Sequence, residues 1–167
     1  MHFKKYGTVE NNIYYVIDTS AILSGKINIA AGNLIFPESV INEIQHGNIK
    51  YLIDSMENIR VYRPEEGYLN IVKEASKKTG DYNVLSSTDM DIIALALQFN
   101  AIIITDDYAI QNVASRLKIK YSGASINEIK REIRWLYRCT GCHKIYNEDI
   151  KECPVCGHKL KRFTKKL

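Results

Sequence analysis

Short apolar runs alternate along the chain with segments whose apolar residues recur at helical spacing. Runs rich in β-branched and aromatic residues predict strands, and they lie at residues 14–18, 34–36, 59–62, 102–105 and 119–121. Helical periodicity is present at residues 65–78, 92–97 and 108–117. The run at residues 101–104 indicates a strand buried on both faces, as in a parallel sheet covered by helices. We therefore predict a doubly wound α/β body.

Three local features refine these boundaries. Residues 92–97 are apolar nearly all round, so we expect that helix to be buried. The helix over residues 65–78 is expected to end before Gly80. Pro37 suits the first position of a further helix, because its fixed φ matches a helix and its missing N–H is not needed there.

Acidic residues follow or flank several of these apolar runs. Asp18 comes after the first run, Asp106 and Asp107 come after the run at 102–105, and Glu43 and Asp89 lie near helix starts. Residues at the carboxyl ends of parallel strands line one crevice. Carboxylates that converge there repel one another, and a divalent cation is the usual remedy. The pattern predicts a metal-dependent phosphoryl-transfer site.

Each of these acids also has an ordinary structural explanation. Asp18, Asp107 or Asp106 could cap a helix, Asp89 could be a first-turn acid favoured by the helix dipole, and Glu43 could be an exposed helical residue. Taken singly, each explanation is as good as the functional one. Taken together they are weaker, because Asp18 and Asp107 both follow predicted parallel strands.

The overall composition limits the class of protein. With 167 residues the chain can bury one ordinary core plus a small second module. It is 46% hydrophobic and 25% charged, which is typical of a soluble globular protein. No apolar stretch approaches the roughly 18–20 residues that span a bilayer, and the N-terminus has no apolar core of signal-peptide length. We expect a cytoplasmic protein with no membrane partner.

Charge is distributed unevenly along the chain. Up to Tyr137 there are 15 basic and 16 acidic residues, whereas from Arg138 onward there are 8 basic and 3 acidic residues. The basic tail could bind a polyanion, and the acidic residues of the body could hold the metal to which the polyanion is presented. A solvated tail that serves solubility is the alternative explanation.

All four cysteines lie near the end of the chain. They form two Cys-x-x-Cys pairs, Cys139 with Cys142 and Cys153 with Cys156, separated by ten residues. This is the usual ligand set of a structural, tetrahedral Zn²⁺. Disulfides are improbable in an intracellular chain, and a redox pair is the other alternative. A module of about thirty residues cannot fold on a hydrophobic core alone, so the metal must stabilise it.

Basic side chains surround these cysteines, with Tyr146 and Phe163 interleaved. Cations next to aromatic rings that can stack on bases suit single-stranded RNA. Zinc ribbons also dock proteins, and that alternative stays open. The candidate RNA-binding residues are Arg138, Lys144, Lys159, Lys161 and Arg162.

The acids and their flanking residues resemble those of the PIN-domain nucleases in order and spacing. The matching strings are Val16-Ile17-Asp18-Thr19-Ser20, then Glu43, Asp89 and Ile104-Thr105-Asp106-Asp107. Further strings at residues 80–82, 85–89 and 105–114, followed by the two cysteine pairs, look like the NIN-one-binding-type endoribonucleases of ribosome assembly in a short, archaeal form. The resemblance implies a PIN-like domain over 1–123, a linker over 124–137 and a zinc ribbon with a basic tail over 138–167.

The same resemblance implies an activity. Asp18, Glu43, Asp89 and Asp107 match the family's catalytic acids and would hold Mg²⁺ or Mn²⁺. The expected reaction is cleavage of the small-subunit rRNA precursor at its 3′ end, giving 5′-phosphate and 3′-hydroxyl products. The expected partners are single-stranded pre-rRNA within the small ribosomal subunit and ribosome assembly factors. Asp91 and Asp106 remain candidates for a supporting role.

Two other functions fit the sequence. One is a PIN nuclease acting on another RNA, as in toxin-type members of the fold. The other is a non-catalytic RNA-binding assembly factor whose acids are structural. A transcription-type zinc ribbon with a DNA partner is a more remote alternative.

Overall fold

The structure is a computed structural model of the whole chain. It describes residues 13–23, 33–44, 51, 53, 59–123, 129 and 132–164, without the side chains of Leu23 and Glu43. Within these residues the chain forms two sheets, one parallel and one antiparallel.

A five-stranded parallel sheet forms the centre of the body. Its strands are β1 (Tyr14–Ile17), β2 (Asn33–Pro37), β3 (Ile59–Tyr62), β4 (Ile102–Ile104) and β5 (Tyr121–Ser122). The strand order is β3-β2-β1-β4-β5, and every neighbouring pair is parallel. The doubly wound α/β fold predicted from the alternation of strands and helices is therefore confirmed.

Five helices of the body have described bounds. They are α1 (Thr19–Leu23), α2 (Glu38–Glu43), α3 (Glu66–Thr79), α4 (Ser87–Phe99) and α5 (Tyr108–Arg116). The helix predicted to be buried, α4, contacts β1, β2 and β4 as well as the helices α3 and α5. Its residues Ile92, Ile93 and Leu95 are fully buried, as an all-round apolar pattern requires.

Two predicted helix boundaries have different outcomes. α3 ends at Thr79, and its C-cap Gly80 has a left-handed φ of 81°, so the predicted end before Gly80 is confirmed. The prediction for Pro37 is wrong, because this residue is the last of β2 and the N-cap of α2, with an extended backbone at φ −62° and ψ 143°. The pairing of β2 with β3 continues to Pro37 opposite Tyr62, which holds the backbone extended.

The strand order reverses beside β1. The chain places β2 and β3 on one side of β1 and returns to place β4 and β5 on the other. The crevice of a doubly wound sheet opens at the carboxyl ends of the strands at such a switch point. The backbone N–H of Asp18 donates to the carbonyl of Ile104 at 3.0 Å, so the ends of β1 and β4 are joined there.

The second sheet is small and antiparallel, in the order β7-β6-β8. It consists of β6 (Trp135–Cys139), β7 (Ile145–Tyr146) and β8 (Leu160–Thr164). β6 begins inside the residues predicted as a linker. The boundaries of the domains themselves stay a prediction. Among the helices that the structure describes, none combines the length and apolarity needed to cross a membrane.

Candidate functional site

Asp18 is held in a fixed orientation at the carboxyl end of β1. Its side chain is only 8% exposed. Oδ2 accepts hydrogen bonds from the Ser20 hydroxyl at 2.6 Å and the Thr105 hydroxyl at 2.9 Å, and Oδ1 accepts from the Ser20 backbone N–H at 3.4 Å. A hydroxyl from α1 and a hydroxyl from the end of β4 therefore orient one carboxylate.

Asp107 follows the same strand end as Thr105. The Asp107 backbone N–H donates to the Thr105 hydroxyl at 3.0 Å, which links the two predicted site residues Asp18 and Asp107 through one side chain. As the N-cap of α5, Asp107 also accepts from the Ala109 backbone N–H at 2.6 Å. The helix-capping explanation of Asp107 is thus correct, and it uses the oxygen Oδ1.

Asp89 approaches the other two carboxylates from the first turn of α4. Its Oδ2 accepts from the Ser86 backbone N–H at 2.8 Å, and its own N–H donates to the Ser86 hydroxyl at 3.1 Å, forming a capping box. Burial raises the pKa of Asp89 above its usual value, and the charges of Asp107 and Asp18 raise it further, against the Ser86 hydrogen bonds. Asp89 therefore lies close enough to both other carboxylates to be repelled by their charges.

These contacts fit a hard divalent cation. Mg²⁺ and Mn²⁺ prefer carboxylate oxygens, and one or two carboxylates completed by water and phosphate form a typical site. Mutual repulsion at Asp89 is the property that a bound cation would offset. Capping and metal binding are compatible, because a carboxylate has more acceptor positions than one capping bond uses.

The remaining predicted acids have different environments. Glu43 is the last residue of α2, and its side chain lies outside the described part of the chain, so its role stays a prediction. Asp91 accepts a hydrogen bond from the Ser39 hydroxyl at 2.7 Å, which connects α4 to α2. Asp106 lies between Thr105 and Asp107 and is half-buried. A supporting role for Asp91 and Asp106 stays a prediction.

The raised pKa of Asp89 predicts an unusual dependence of stability on pH in the metal-free protein. The folded state holds the Asp89 proton more tightly than the unfolded chain does. The protonated Asp89 side chain therefore raises the free energy of unfolding at a pH below the ordinary pKa of an aspartate. This contribution is lost as the pH rises through the raised pKa of Asp89. We expect ¹³C NMR titration of the Asp89 carboxyl to give a pKa above that of an ordinary aspartate. In Asp18→Asn the Asp89 pKa should fall towards the ordinary value, and an unchanged pKa would contradict the proximity of the two acids.

The four cysteines form a compact cluster, with sulfur atoms that all lie within 4.8 Å of one another. The Cys139 and Cys156 sulfurs are 3.3 Å apart, and the Cys142 and Cys153 sulfurs are 3.6 Å apart. A tetrahedral Zn²⁺ with Zn–S bonds of about 2.3 Å requires sulfur separations of about 3.8 Å. The cluster therefore fits a zinc ion, as the sequence spacing predicted.

Hydrogen bonds favour the thiolate form of two of the four cysteines, Cys153 and Cys156. The Tyr146 hydroxyl lies 3.1 Å from the Cys153 sulfur, and this hydrogen bond lowers the pKa of Cys153 to about 6. A hydrogen bond from the His158 backbone lowers the pKa of Cys156. The Gly141 N–H lies 3.3 Å from the Cys139 sulfur. Zinc binds thiolates, so these contacts favour the metal-bound state.

Residues 15–99 match the family described as the PIN domain of ribonuclease. Ribonuclease VapC1 of Thermoplasma acidophilum is 52% identical to the chain over 153 residues, which cover 91% of the chain and 79% of that protein. The chain belongs to the PIN-domain ribonuclease family. The predictions of a PIN fold and of an endoribonuclease are therefore confirmed.

Two proteins named endoribonuclease Nob1 are further relatives of this PIN-domain chain. That of Methanocaldococcus jannaschii is 38% identical over 152 residues, covering 88% of the chain and 76% of that protein. That of Archaeoglobus fulgidus is 37% identical over 148 residues, covering 86% of each. The relatives carry two different names, so they show the family and not the RNA that this chain cleaves.

The zinc ribbon of this PIN-domain protein has two different faces. Arg138 lies opposite Lys161 in the β6–β8 register, and both are exposed, with the Arg138 guanidinium 4.7 Å from the centre of the Phe163 ring. Tyr137 lies opposite Arg162 on the other face, which is turned to the body. Four of the five predicted RNA-binding residues, Arg138, Lys144, Lys159 and Lys161, are exposed, whereas Arg162 is occupied by a contact with the body.

A cleft of about 660 Å³ lies between the PIN domain and the ribbon. Lys77, Lys78, Arg116 and Arg134 contribute positive charge to its walls, but acidic residues line it as well. Asp18, Asp89 and Asp107 are not among its lining residues, so this cleft is not the candidate active site.

The turn of the first cysteine pair has no room for a side chain at Gly141. A Cβ there would lie 2.7 Å from Cγ and 2.8 Å from Nδ1 of the His158 ring. That ring nitrogen is 3.0 Å from the Cys156 carbonyl, so moving the ring would break this contact. We expect Gly141→Ala to weaken Zn²⁺ binding by about 1–3 kcal/mol, the usual cost of overpacking. Competition with a coloured chelator measures this.

Gly67→Ala is the matched control for that change. A Cβ at Gly67 meets nothing within 4 Å, and the residue lies in the helix α3. Alanine favours a helix by up to about 1 kcal/mol over glycine, so this variant should leave Zn²⁺ affinity unchanged and stability equal or higher. Equal Zn²⁺ affinities for Gly141→Ala and Gly67→Ala would contradict the close packing against His158.

Proposed function

We propose that the protein is a metal-dependent endoribonuclease that cuts the small-subunit rRNA precursor at its 3′ end during ribosome maturation. The observation that carries the nuclease chemistry is the link between Asp18 and Asp107 through the Thr105 hydroxyl at the switch point of the sheet, with Asp89 near enough for their charges to raise its pKa. Carboxylates at the crevice of such a sheet suit a divalent cation and a phosphate.

In this proposal the protein side chains hold the ion and align the substrate. The hydroxyls of Ser20 and Thr105 fix the Asp18 carboxylate, and the starts of α4 and α5 fix Asp89 and Asp107. Glu43 is proposed as the fourth ligand. Bound Mg²⁺ or Mn²⁺ supplies charge stabilisation to the phosphate and lowers the pKa of water.

The proposed reaction is an in-line displacement at phosphorus. The oxygen of water forms a bond to phosphorus and loses a proton to solvent, the bond from phosphorus to the 3′ oxygen breaks, and a solvent proton completes the leaving hydroxyl. The products are a 5′-phosphate and a 3′-hydroxyl. A cyclic phosphate would instead need a paired acid and base such as two histidines. None of the four histidines lies in the acidic motifs.

The outer face of the ribbon is the proposed RNA contact. Arg138 and Lys161 lie side by side there, and like charges directly opposite in a sheet destabilise it. Phe163 offers a ring on which a base can stack, next to the Arg138 guanidinium. Cations and an aromatic ring together suit single-stranded RNA, with Lys144 and Lys159 as further phosphate contacts.

The choice of target rests on the ribbon and on the resemblance to the NIN-one-binding type. The relatives named Nob1 support it. The relative named VapC1 does not oppose it, because a match over 91% of the chain cannot leave out the whole of residues 138–167. The match to that relative therefore extends into residues 138–167. Pre-rRNA within the small ribosomal subunit, ribosome assembly factors and a cytoplasmic location follow from the proposal.

The test uses a labelled single-stranded RNA that spans the 3′ end of small-subunit rRNA, beside a scrambled RNA of equal length. We expect a single cut in the first RNA with Mn²⁺, no cut with EDTA, and a product that ligase accepts at its 5′-phosphate. Equal cleavage of both RNAs would favour a PIN nuclease with another target. Tight binding without cleavage, also in the presence of small ribosomal subunits, would favour a non-catalytic assembly factor.

A further inference from the structure

A fully buried carboxylate joins the zinc ribbon to the PIN domain. Asp81 has no exposed surface. Its Oδ1 accepts from Arg162 Nη2 at 2.6 Å and from the Trp135 indole N–H at 3.0 Å, and its Oδ2 accepts from the Asn112 amide at 2.6 Å. A buried charge is stable only when it is paired and hydrogen-bonded in this way.

Asp81 also begins the loop that leads to Asp89. The Asp81 carbonyl accepts from the backbone N–H groups of Val84 and Leu85, both at 3.0 Å. The next residue is Ser86, the N-cap that shares the capping box with Asp89. The position of Asp81 therefore determines where α4 begins and where the Asp89 carboxylate lies.

The partner on the other oxygen belongs to the helix that Asp107 caps. Asn112 lies on α5, and its neighbour Gln111 donates from Nε2 to the carbonyl of Thr105 at 3.0 Å. Thr105 in turn holds Asp18 and the backbone of Asp107. Asp81 thus contacts α5 through its carboxylate and the loop that leads to α4 through its backbone carbonyl.

The ribbon supplies the opposing groups from two zinc-supported strands. Trp135 and Tyr137 lie on β6, which ends at the zinc-cluster residue Cys139, and Arg162 lies on β8. The Arg162 guanidinium stacks 3.6 Å from the centre of the Trp135 ring. The Tyr137 hydroxyl donates to the Gly80 carbonyl at 3.1 Å, next to Asp81. The inner face of the ribbon therefore contacts Gly80 and Asp81, where the loop to α4 begins.

We infer that Asp81 is a positioning residue, and that the zinc ribbon sets the geometry of the metal site through Arg162 and Trp135 in addition to any contact with RNA. The inference rests on the proposed nuclease function. It assigns Arg162 to the alignment of Asp89 and Asp107, in contrast to its neighbour Lys161, which faces outward. Removal of the Arg162 charge frees the loop at Asp81 and moves α4 relative to α5.

Two adjacent cations on β8 provide a matched test. Arg162→Gln and Lys161→Gln each remove one positive charge, and the Mn²⁺ affinity of the zinc-loaded protein is measured from the EPR signal of free Mn²⁺. We expect Arg162→Gln to weaken Mn²⁺ binding by about tenfold, which is the lower end of the usual loss of affinity when a group that orients metal ligands is removed. The same variant should have a lower kcat at saturating RNA. Lys161→Gln should keep the wild-type Mn²⁺ affinity and raise KM.

Trp135→Phe is a milder variant in case Arg162→Gln does not fold. It removes the indole N–H that binds Asp81 together with the second ring, and keeps an aromatic ring under Arg162. Its effect on Mn²⁺ affinity should be smaller and in the same direction. Unchanged Mn²⁺ affinity in folded Arg162→Gln or in Trp135→Phe would overturn the inference. A wild-type protein that binds Mn²⁺ but cleaves no RNA would overturn only the proposed function, and absence of Mn²⁺ binding would overturn both.

Discussion

Asp18→Asn is expected to reduce Mn²⁺-dependent RNA cleavage by at least about 100-fold, the upper end for loss of a group that orients a metal or its ligands. The amide keeps one oxygen to accept the Ser20 and Thr105 hydroxyls but offers no charge to the cation. Cleavage of the labelled rRNA fragment at saturating Mn²⁺ measures the loss.

The same change should not destabilise the metal-free fold. Asp18 is one of two acids whose charge raises the pKa of Asp89, so its removal relieves repulsion between the buried Asp18 and the half-buried Asp89. The free energy of unfolding in EDTA, measured with denaturant, should stay equal or rise. With Mn²⁺ present the order reverses, because the wild-type protein gains stability from an ion that the variant binds weakly.

Glu74→Gln is the control for Asp18→Asn. Glu74 is an exposed residue of α3 that pairs with Lys77, so the same chemical change there should affect neither cleavage nor Mn²⁺ stabilisation. If Asp18→Asn unfolds the body instead, Asp18 is a structural helix-start residue and the carboxylate does not serve a metal.

Features that depend on neighbouring residues in the sequence were predictable. The strand β1 and the helix α4 follow from local apolar patterns. The capping box at Ser86 and Asp89 depends on a spacing of three residues, and the zinc cluster depends on two short cysteine pairs. In each case the interacting atoms lie close along the chain or at the ends of regular elements, so few other arrangements compete.

Features that depend on distant pairing were not predictable. Asp81 and Arg162 are separated by 81 positions. In the sequence, Arg162 is not distinguished from the other basic residues of the tail. Only the register of β6 with β8 shows that Arg162 and Lys161 face opposite ways. Pro37 is a similar case, because its pairing with Tyr62 on β3 outweighs the local preference for a helix start. The signal that could have found Asp81 is an acid directly after the helix-ending Gly80.

Loss of a zinc ligand is the second change with a large expected effect. Cys153 is buried, and its thiolate accepts from Tyr146 within the four-sulfur cluster. Structural zinc contributes about 10–16 kcal/mol to small modules at neutral pH. This matches or exceeds the whole stability of about 5–15 kcal/mol of a typical domain. We expect Cys153→Ser to lose bound Zn²⁺ and to unfold β6, β7 and β8.

Val155→Ser is the matched control within the same turn. Val155 lies between Cys153 and Cys156, is 56% exposed and offers no ligand atom, so this variant should keep one Zn²⁺ per chain. Bound zinc is counted by elemental analysis, and hydrogen exchange reports folding at the amide of Thr140, which donates to Lys159 across the ribbon. Retention of Zn²⁺ and of this protection in Cys153→Ser would contradict the four-cysteine site.

The body should respond to zinc loss differently from its response to Arg162→Gln. When the ribbon unfolds, water reaches Asp81 and solvates its charge, so the body loses contacts but keeps no buried unpaired ion. When only the Arg162 charge is removed, the ribbon still covers Asp81, and a buried charge without its partner costs about 3–5 kcal/mol. We therefore expect the amides of β1 and β4 to lose more protection in Arg162→Gln than in Cys153→Ser. The opposite order would mean that the ribbon stabilises the body mainly through buried area and not through this ion pair.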